Sequence, residues 1–210
     1  GVAVGMFFSG GAFVMNKSSI ADTFQPTISY WANGWHGLEA ITNPFNLLLG
    51  IVVYLAARTL GLMYVMMQID SESLNKKCKS QIKITGPAFV LGFVAFLIAL
   101  FTMTGYHVTP ENGLITPVRY KYFFNMIELI WPLVMLLAGV LLVLSGLGLN
   151  IFGKKGRKSS FFLTGGGVVL AVWSILICAA FNNTAFFVST VDPQYSLTLE
   201  NSSSSEFTLK

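Results

Sequence analysis

Apolar runs separated by short polar stretches dominate this chain, and the length of each run sets the element it predicts. Nearly uncharged runs extend from about Asn43 to Gln68, Ile84 to Gly105, Tyr122 to Asn150 and Phe161 to Phe181. A bilayer core roughly 30 Å thick takes about 20 helical residues to cross, so each run predicts a complete transmembrane helix. Asn43-Pro44 marks the start of the first, because proline in a first helical turn gives up an N–H that has no partner there anyway. The third run is longer than a crossing needs and carries Pro132, which predicts a kink. Ser145-Gly146-Leu147-Gly148 in that run and Gly165-Gly166-Gly167 in the fourth are small enough to let helices approach closely.

The apolar, glycine-rich opening, residues 1–14, is too short to cross and predicts part of a helix whose start lies upstream. Residues 15–42 predict an outer loop whose Phe24, Tyr30, Trp31 and Trp35 suit the headgroup level. Residues 182–210 predict an outer polar tail leading to a further helix beyond Lys210. The expected fold class is therefore all-α integral membrane, with four complete transmembrane helices and one partial N-terminal helix.

Composition agrees: 54% of the 210 residues are apolar and 10% charged, whereas soluble domains carry about a quarter charged residues. The net charge of +4 is gathered in short clusters, which reads as membrane topology rather than nucleic-acid binding. Lys76, Lys77, Lys79 and Lys83 fall in the stretch 69–83, and Lys154, Lys155, Arg157 and Lys158 in the stretch 151–160. By the positive-inside rule both loops are expected on the cytoplasmic side. The loop between them, Tyr106 to Lys121, is poorer in cations and is expected outside.

Two ionisable residues interrupt the apolar runs: Arg58, near the middle of the first, and Glu128, close to the outer end of the third. A charge at bilayer depth is costly and usually faces the protein interior with a partner. These two are the candidate buried-charge or assembly sites, against the plainer readings of a snorkelling arginine and an interfacial carboxylate. His36 and His107 are the only histidines and occupy different outer segments. Cys78 and Cys178 are far apart and offer neither a disulfide framework nor a metal-ligand spacing. Phosphate-binding glycine motifs and hydrolytic triads are lacking, so no catalytic, cofactor-binding or metal residues are assigned.

Three stretches resemble subunit II of cytochrome bd-type quinol oxidases. Gly1-Val2-Ala3-Val4-Gly5 is similar to a mid-chain helix segment of that family, with Met6 where asparagine is usual. Asn43-Pro44-Phe45-Asn46-Leu47-Leu48-Leu49-Gly50, followed by Thr59 and Gly61, resembles a helix start of the family. Ser196-Leu197-Thr198 through Ser204-Ser205 to Thr208-Leu209 has the spacing of the polar signature that leads into its last helix. Glu200-Asn201 stands where Trp-Asp is common. Ala56 to Gly61 and Phe181-Asn182-Asn183-Thr184 look more like the cyanide-insensitive branch.

The resemblance implies a subunit of a bacterial inner-membrane respiratory complex that oxidises a quinol and reduces dioxygen to water. It implies a haem-free subunit packed against a haem-bearing subunit I, with haems b and d in that partner and a quinone or lipid tail as a further ligand between helices. It also implies that the four spans form most of the second four-helix unit of the subunit. The rival reading is half of a small-solute transporter, which would bring broken helices and charges together at the midplane; Arg58 with Pro132 is a thin version of that pattern.

Overall fold

A computed structural model describes residues 1–15, 29–153 and 157–198. The readings placed on Phe24, on Lys154 and Lys155, on Glu200-Asn201 and on the Ser204 to Leu209 end of the polar signature lie outside these residues. The chain is an all-α integral membrane protein: four helices are long and apolar enough to cross a bilayer. Among the described residues the elements are α1 (Val2–Ser9), β1 (Phe13–Met15), β2 (Ser29–Trp31), α2 (Pro44–Gln68), α3 (Glu72–Thr102), β3 (Thr104–Val108), β4 (Ile115–Arg119), α4 (Lys121–Glu128), α5 (Ile130–Phe152) and α6 (Arg157–Ala180).

The opening helix is shorter than expected. It stops at Ser9 because Gly10 takes φ 81, a conformation that glycine adopts without steric cost, and Phe13 then enters a strand. β1 and β2 pair antiparallel with Phe13 opposite Trp31. A short 3-10 helix, Leu38–Thr42, follows. The Glu39 carboxylate ties it to β1 by accepting from the N–H of Ala12 at 3.2 Å and of Gly37 at 3.0 Å. Burial pushes that carboxyl up, but hydrogen bonds from backbone N–H groups of Glu39, Ala12 and Gly37 outweigh it and leave the group below its ordinary value.

α2 begins at Pro44, with the Asn43 side chain accepting from the N–H of Phe45 at 2.9 Å, the usual side-chain cap for an orphan helical N–H. α3 starts at Glu72 rather than near Ile84, so most of the stretch read as a cytoplasmic loop is helical. Lysine and glutamine propagate a helix well. Asn75, Cys78 and Ile82 recur at helical spacing and are buried, which fixes one face of the extension. Pro87 sits inside α3; helices in membranes tolerate it because neighbouring groups re-satisfy the backbone.

The third span is divided. α4 ends at Glu128, Leu129 is extended, and α5 begins at Ile130. Pro132 therefore lies in the first turn of α5 and kinks nothing. In a continuous helix its ring would meet the carbonyl of Glu128 and leave it without a donor, and the break falls at that carbonyl. α6 begins at Arg157, four residues before the expected start, and ends at Ala180.

Two antiparallel hairpins, α2–α3 and α5–α6, make up the spanning unit. Close backbone contact holds the second pair: a Cβ at Gly139 would stand 2.7 Å from the carbonyl oxygen of Gly167, and one at Gly146 would collide with Thr164. Of the small residues noted in the sequence, Gly146 and Gly167 serve this contact, whereas Gly148 and Gly166 face open space. The Ser160 hydroxyl also donates to the carbonyl of Gly146 at 2.8 Å. Between α2 and α3 the buried hydroxyls of Thr59 and Thr85 are 3.2 Å apart.

A contact at the lysine-bearing end fixes the relative heights of the hairpins. The Lys79 ammonium donates to the carbonyl of Gly153, just past α5, at 3.3 Å. Lys79 lies about two turns up α3 from Glu72, so the tip of the α2–α3 hairpin extends roughly 10 Å past the end of α5. At the other end, the segments that sequence suggested were loops are a folded cap. β3 and β4 pair with His107 opposite Thr116, and Val108, Ile115, Ala185 and Val188 form a second small core.

Candidate functional site

Arg58 and Glu128, the two charges singled out in the sequence, lie at opposite ends of the bundle. Arg58 is exposed on α2 rather than facing the bundle interior. Its guanidinium donates to the side-chain oxygen of Gln81 at 3.1 Å and to the Tyr54 hydroxyl at 3.4 Å. Gln81 stands half a turn beyond Lys79, the residue level with the end of α5. The guanidinium of Arg58 thus reaches the level of the lysine-bearing end, although Arg58 itself stands near the middle of α2, as its place in the apolar run indicates. The Arg58 guanidinium and the helix break at Leu129 lie toward opposite ends of the bundle, so the two do not converge as the transporter pattern requires.

Glu128 closes α4 at the end of the bundle away from the lysines, where it is exposed and accepts from the side chain of Asn182. Behind it is a polar junction that ties α4 to the end of α6 and to the chain beyond. Asn125 is fully buried; its amide donates to the carbonyl of Cys178 at 2.9 Å and to the Thr184 hydroxyl at 2.8 Å, and its oxygen accepts from Asn182 at 3.1 Å. The Lys121 ammonium, also buried, donates to the carbonyl of Asn182 at 2.9 Å. Burial lowers the Lys121 pKa from its ordinary value, and the Glu128 carboxylate partly opposes this.

α4 is amphipathic in reverse. It buries Lys121, Tyr122, Asn125 and Met126 and exposes Phe123, Phe124 and Ile127. In water such an exposed face would be unfavourable; it suits an outer surface that is itself apolar. Tyr122 joins the core beside Phe8, with ring centroids 5.8 Å apart, and its hydroxyl has no partner among the described residues. Burial raises the pKa of that hydroxyl. In the sequence Lys121 only closes a cation-poor loop, and neither it nor Asn125 stands out as a site residue. The available signal was an asparagine inside an apolar run, a residue costly to bury without partners.

The histidines stay apart in the fold. His36 occupies an exposed turn with φ 49, and His107 lies on β3, bridged to Thr184. Among the described residues no three histidine, cysteine, aspartate or glutamate side chains gather into a group that could hold a metal ion. Cys78 and Cys178 are buried free thiols.

Between the two hairpins runs an apolar cleft of about 410 Å³. Phe8, Val52, Phe89 and Phe93 line one side, and Val143 and Ala171 the other. Outside it, Ile84, Leu91 and Ile98 form a stripe on α3 that is 60 to 70% exposed, with a similar face on α6 that includes Phe162, Val169 and Trp173. Only hydrocarbon, as lipid or as another membrane subunit, covers surfaces of this kind without loss.

Residues 1–210 match the family described as cytochrome bd terminal oxidase subunit II. No curated protein gives a match to the chain.

Proposed function

We propose, since this chain belongs to the cytochrome bd terminal oxidase subunit II family, that it acts by holding a haem-bearing subunit I in an enzyme that oxidises a quinol and reduces dioxygen to water. The chain is a multi-pass membrane subunit of a respiratory oxidase. The observation that carries it is the family match, which takes in all four spans and the outer cap.

Haems b and d, held by the partner, would supply the electron transfer and the oxygen chemistry. The residues of this chain offer packing and insulation. The α5–α6 glycine contact and the Thr59–Thr85 pair hold the spans together, and the Asn125 junction seals the outer end. The apolar stripes on α3 and α6 supply surface for subunit I and for lipid. The cleft between the hairpins is the right shape and chemistry for a quinone or lipid tail, since it is lined by hydrocarbon.

Lysines of α3 and the start of α6 share one end of the bundle, and the positive-inside rule makes that end cytoplasmic, in a bacterial inner membrane. The cap with His36 and His107 then faces outward. Co-purification tests the assignment: the tagged full-length chain, taken from detergent-solubilised membranes, should bring down a haem-bearing subunit that gives a reduced-minus-oxidised visible spectrum. A preparation without haem, from membranes shown to contain that subunit, would overturn it.

A further inference from the structure

We infer that Arg58, held by Tyr54 and Gln81 and flanked by Lys77, is a binding site for the phosphate of an anionic phospholipid in the leaflet at the lysine-bearing end. This goes beyond the oxidase reading and does not depend on which side of the membrane that end faces.

A guanidinium carries five N–H donors in a planar fork. At Arg58 the two bonds made among the described residues go to neutral groups, the Tyr54 hydroxyl and the Gln81 amide oxygen. They orient the fork without compensating its charge. The side chain is exposed, which leaves donors of the fork accessible to a ligand. Its height matters as much as its direction. Gln81 is half a turn from Lys79, which reaches the end of α5, and the end of a helix of spanning length is the level at which phospholipid headgroups meet the acyl region.

Three surroundings select a phosphate with a hydrocarbon chain attached. Lys77 is exposed one turn of α3 below Gln81 on the same face, which adds a second positive charge and exceeds what one carboxylate would neutralise. Gly61, one turn of α2 below Arg58, leaves open space with nothing within 4 Å of where its Cβ would stand, room for a headgroup. Ile84, one turn of α3 above Gln81, is 67% exposed and offers an apolar track to the acyl chain. Arginine forks match phosphate oxygens two at a time.

The test titrates the intact detergent-purified oxidase with phosphatidylglycerol, and separately with phosphatidylcholine of the same acyl chains, and counts retained lipids by native mass spectrometry. The wild type should retain one phosphatidylglycerol that Arg58→Gln holds roughly fivefold more weakly, as expected for loss of one cation at a membrane surface. Phosphatidylcholine retention should be equal in both. Displacement of that lipid by excess inorganic phosphate would identify the bare phosphate as the recognised group; resistance to it would give the acyl chain a share. Equal phosphatidylglycerol retention by the two proteins would overturn the inference. So would loss of the partner subunit from Arg58→Gln with lipid retention unchanged, which would assign the arginine to subunit contact. If the variant does not assemble, photoreactive phosphatidylglycerol applied to the wild type decides: labelling should fall on the segments bearing Tyr54 and Gln81, and labelling only elsewhere would refute the site.

Discussion

The ammonium of Lys121 donates to the backbone carbonyl of Asn182 at 2.9 Å, which fastens the start of α4 to the chain just past α6. The side chain of Asn182 meets Glu128 at the far end of α4. Both ends of the inverted amphipathic helix therefore close on one residue, and this junction seals the end of the spanning unit that carries the cap.

Lys121 gives the junction a pH signature. Its folded pKa lies below the ordinary 10.5 because of burial. Between the lowered value and 10.5 the folded chain binds fewer protons than the unfolded chain, so this group makes stability rise with pH. Melting curves of the purified complex should show the wild type gaining on Lys121→Met as pH approaches 10.5. A wild type that loses ground over that window would contradict the assignment.

Asn125 is the hub of the same junction, with three hydrogen bonds to groups far away in the chain. Asn125→Leu would strip the Cys178 carbonyl and the Asn182 and Thr184 side chains of that partner. Asn182 keeps Glu128 and Thr184 keeps the Asn182 carbonyl, so the cost falls on the Cys178 carbonyl, about 1–3 kcal/mol for a buried group left unpaired. We expect a clear fall in melting temperature, and Asn125→Asp should recover less of it than reversion does, because a carboxylate cannot donate to the Cys178 carbonyl.

Backbone contact between α5 and α6 leaves no room for a side chain at Gly139, where a Cβ would meet the Gly167 oxygen at 2.7 Å and the Ala171 nitrogen at 2.9 Å. Gly139→Leu must push the helices apart, at a cost of at least about 1–3 kcal/mol. Gly148→Leu, in open space, is the matched control. The yield of assembled complex on a sizing column should fall for the first and hold for the second.

Acid should loosen the β1 end of the cap through Glu39. Its carboxyl lies below the ordinary 4.5, chiefly because the N–H bonds it accepts outweigh the effect of burial. The stabilisation is fully present above 4.5 and is lost as pH falls through the lowered folded value. Hydrogen exchange at Ala12 and Gly37, compared between wild type and Glu39→Gln, should differ near neutral pH and converge in acid.

How far the sequence could be read depended on whether a feature was local. Asn43-Pro44 and the run after it specify α2 almost to the residue, because a cap, a first-turn proline and a long apolar stretch are all local signals. The lysines hid the start of α3, since charge reads as loop unless the Asn75, Cys78 and Ile82 spacing is weighed against it. Pro132 announced a disturbance in the third span, but its ring acts on the carbonyl four residues earlier, so the break falls at Glu128 and Leu129. The reach of Arg58 follows from its bond to Gln81, and the polar junction from Asn125 meeting residues at the end of α6 and beyond it. Those pairings are distant in sequence and leave no periodic trace.

Quinol-driven oxygen uptake by the complex purified through a tag on this chain tests the central claim most directly. Uptake that co-elutes with the tagged chain and with haem absorbance, and that stops when the quinol is withheld, is the result expected of a subunit of a quinol oxidase. A pure, folded chain that elutes without haem and consumes no oxygen, from membranes that contain an active haem-bearing subunit, would contradict it.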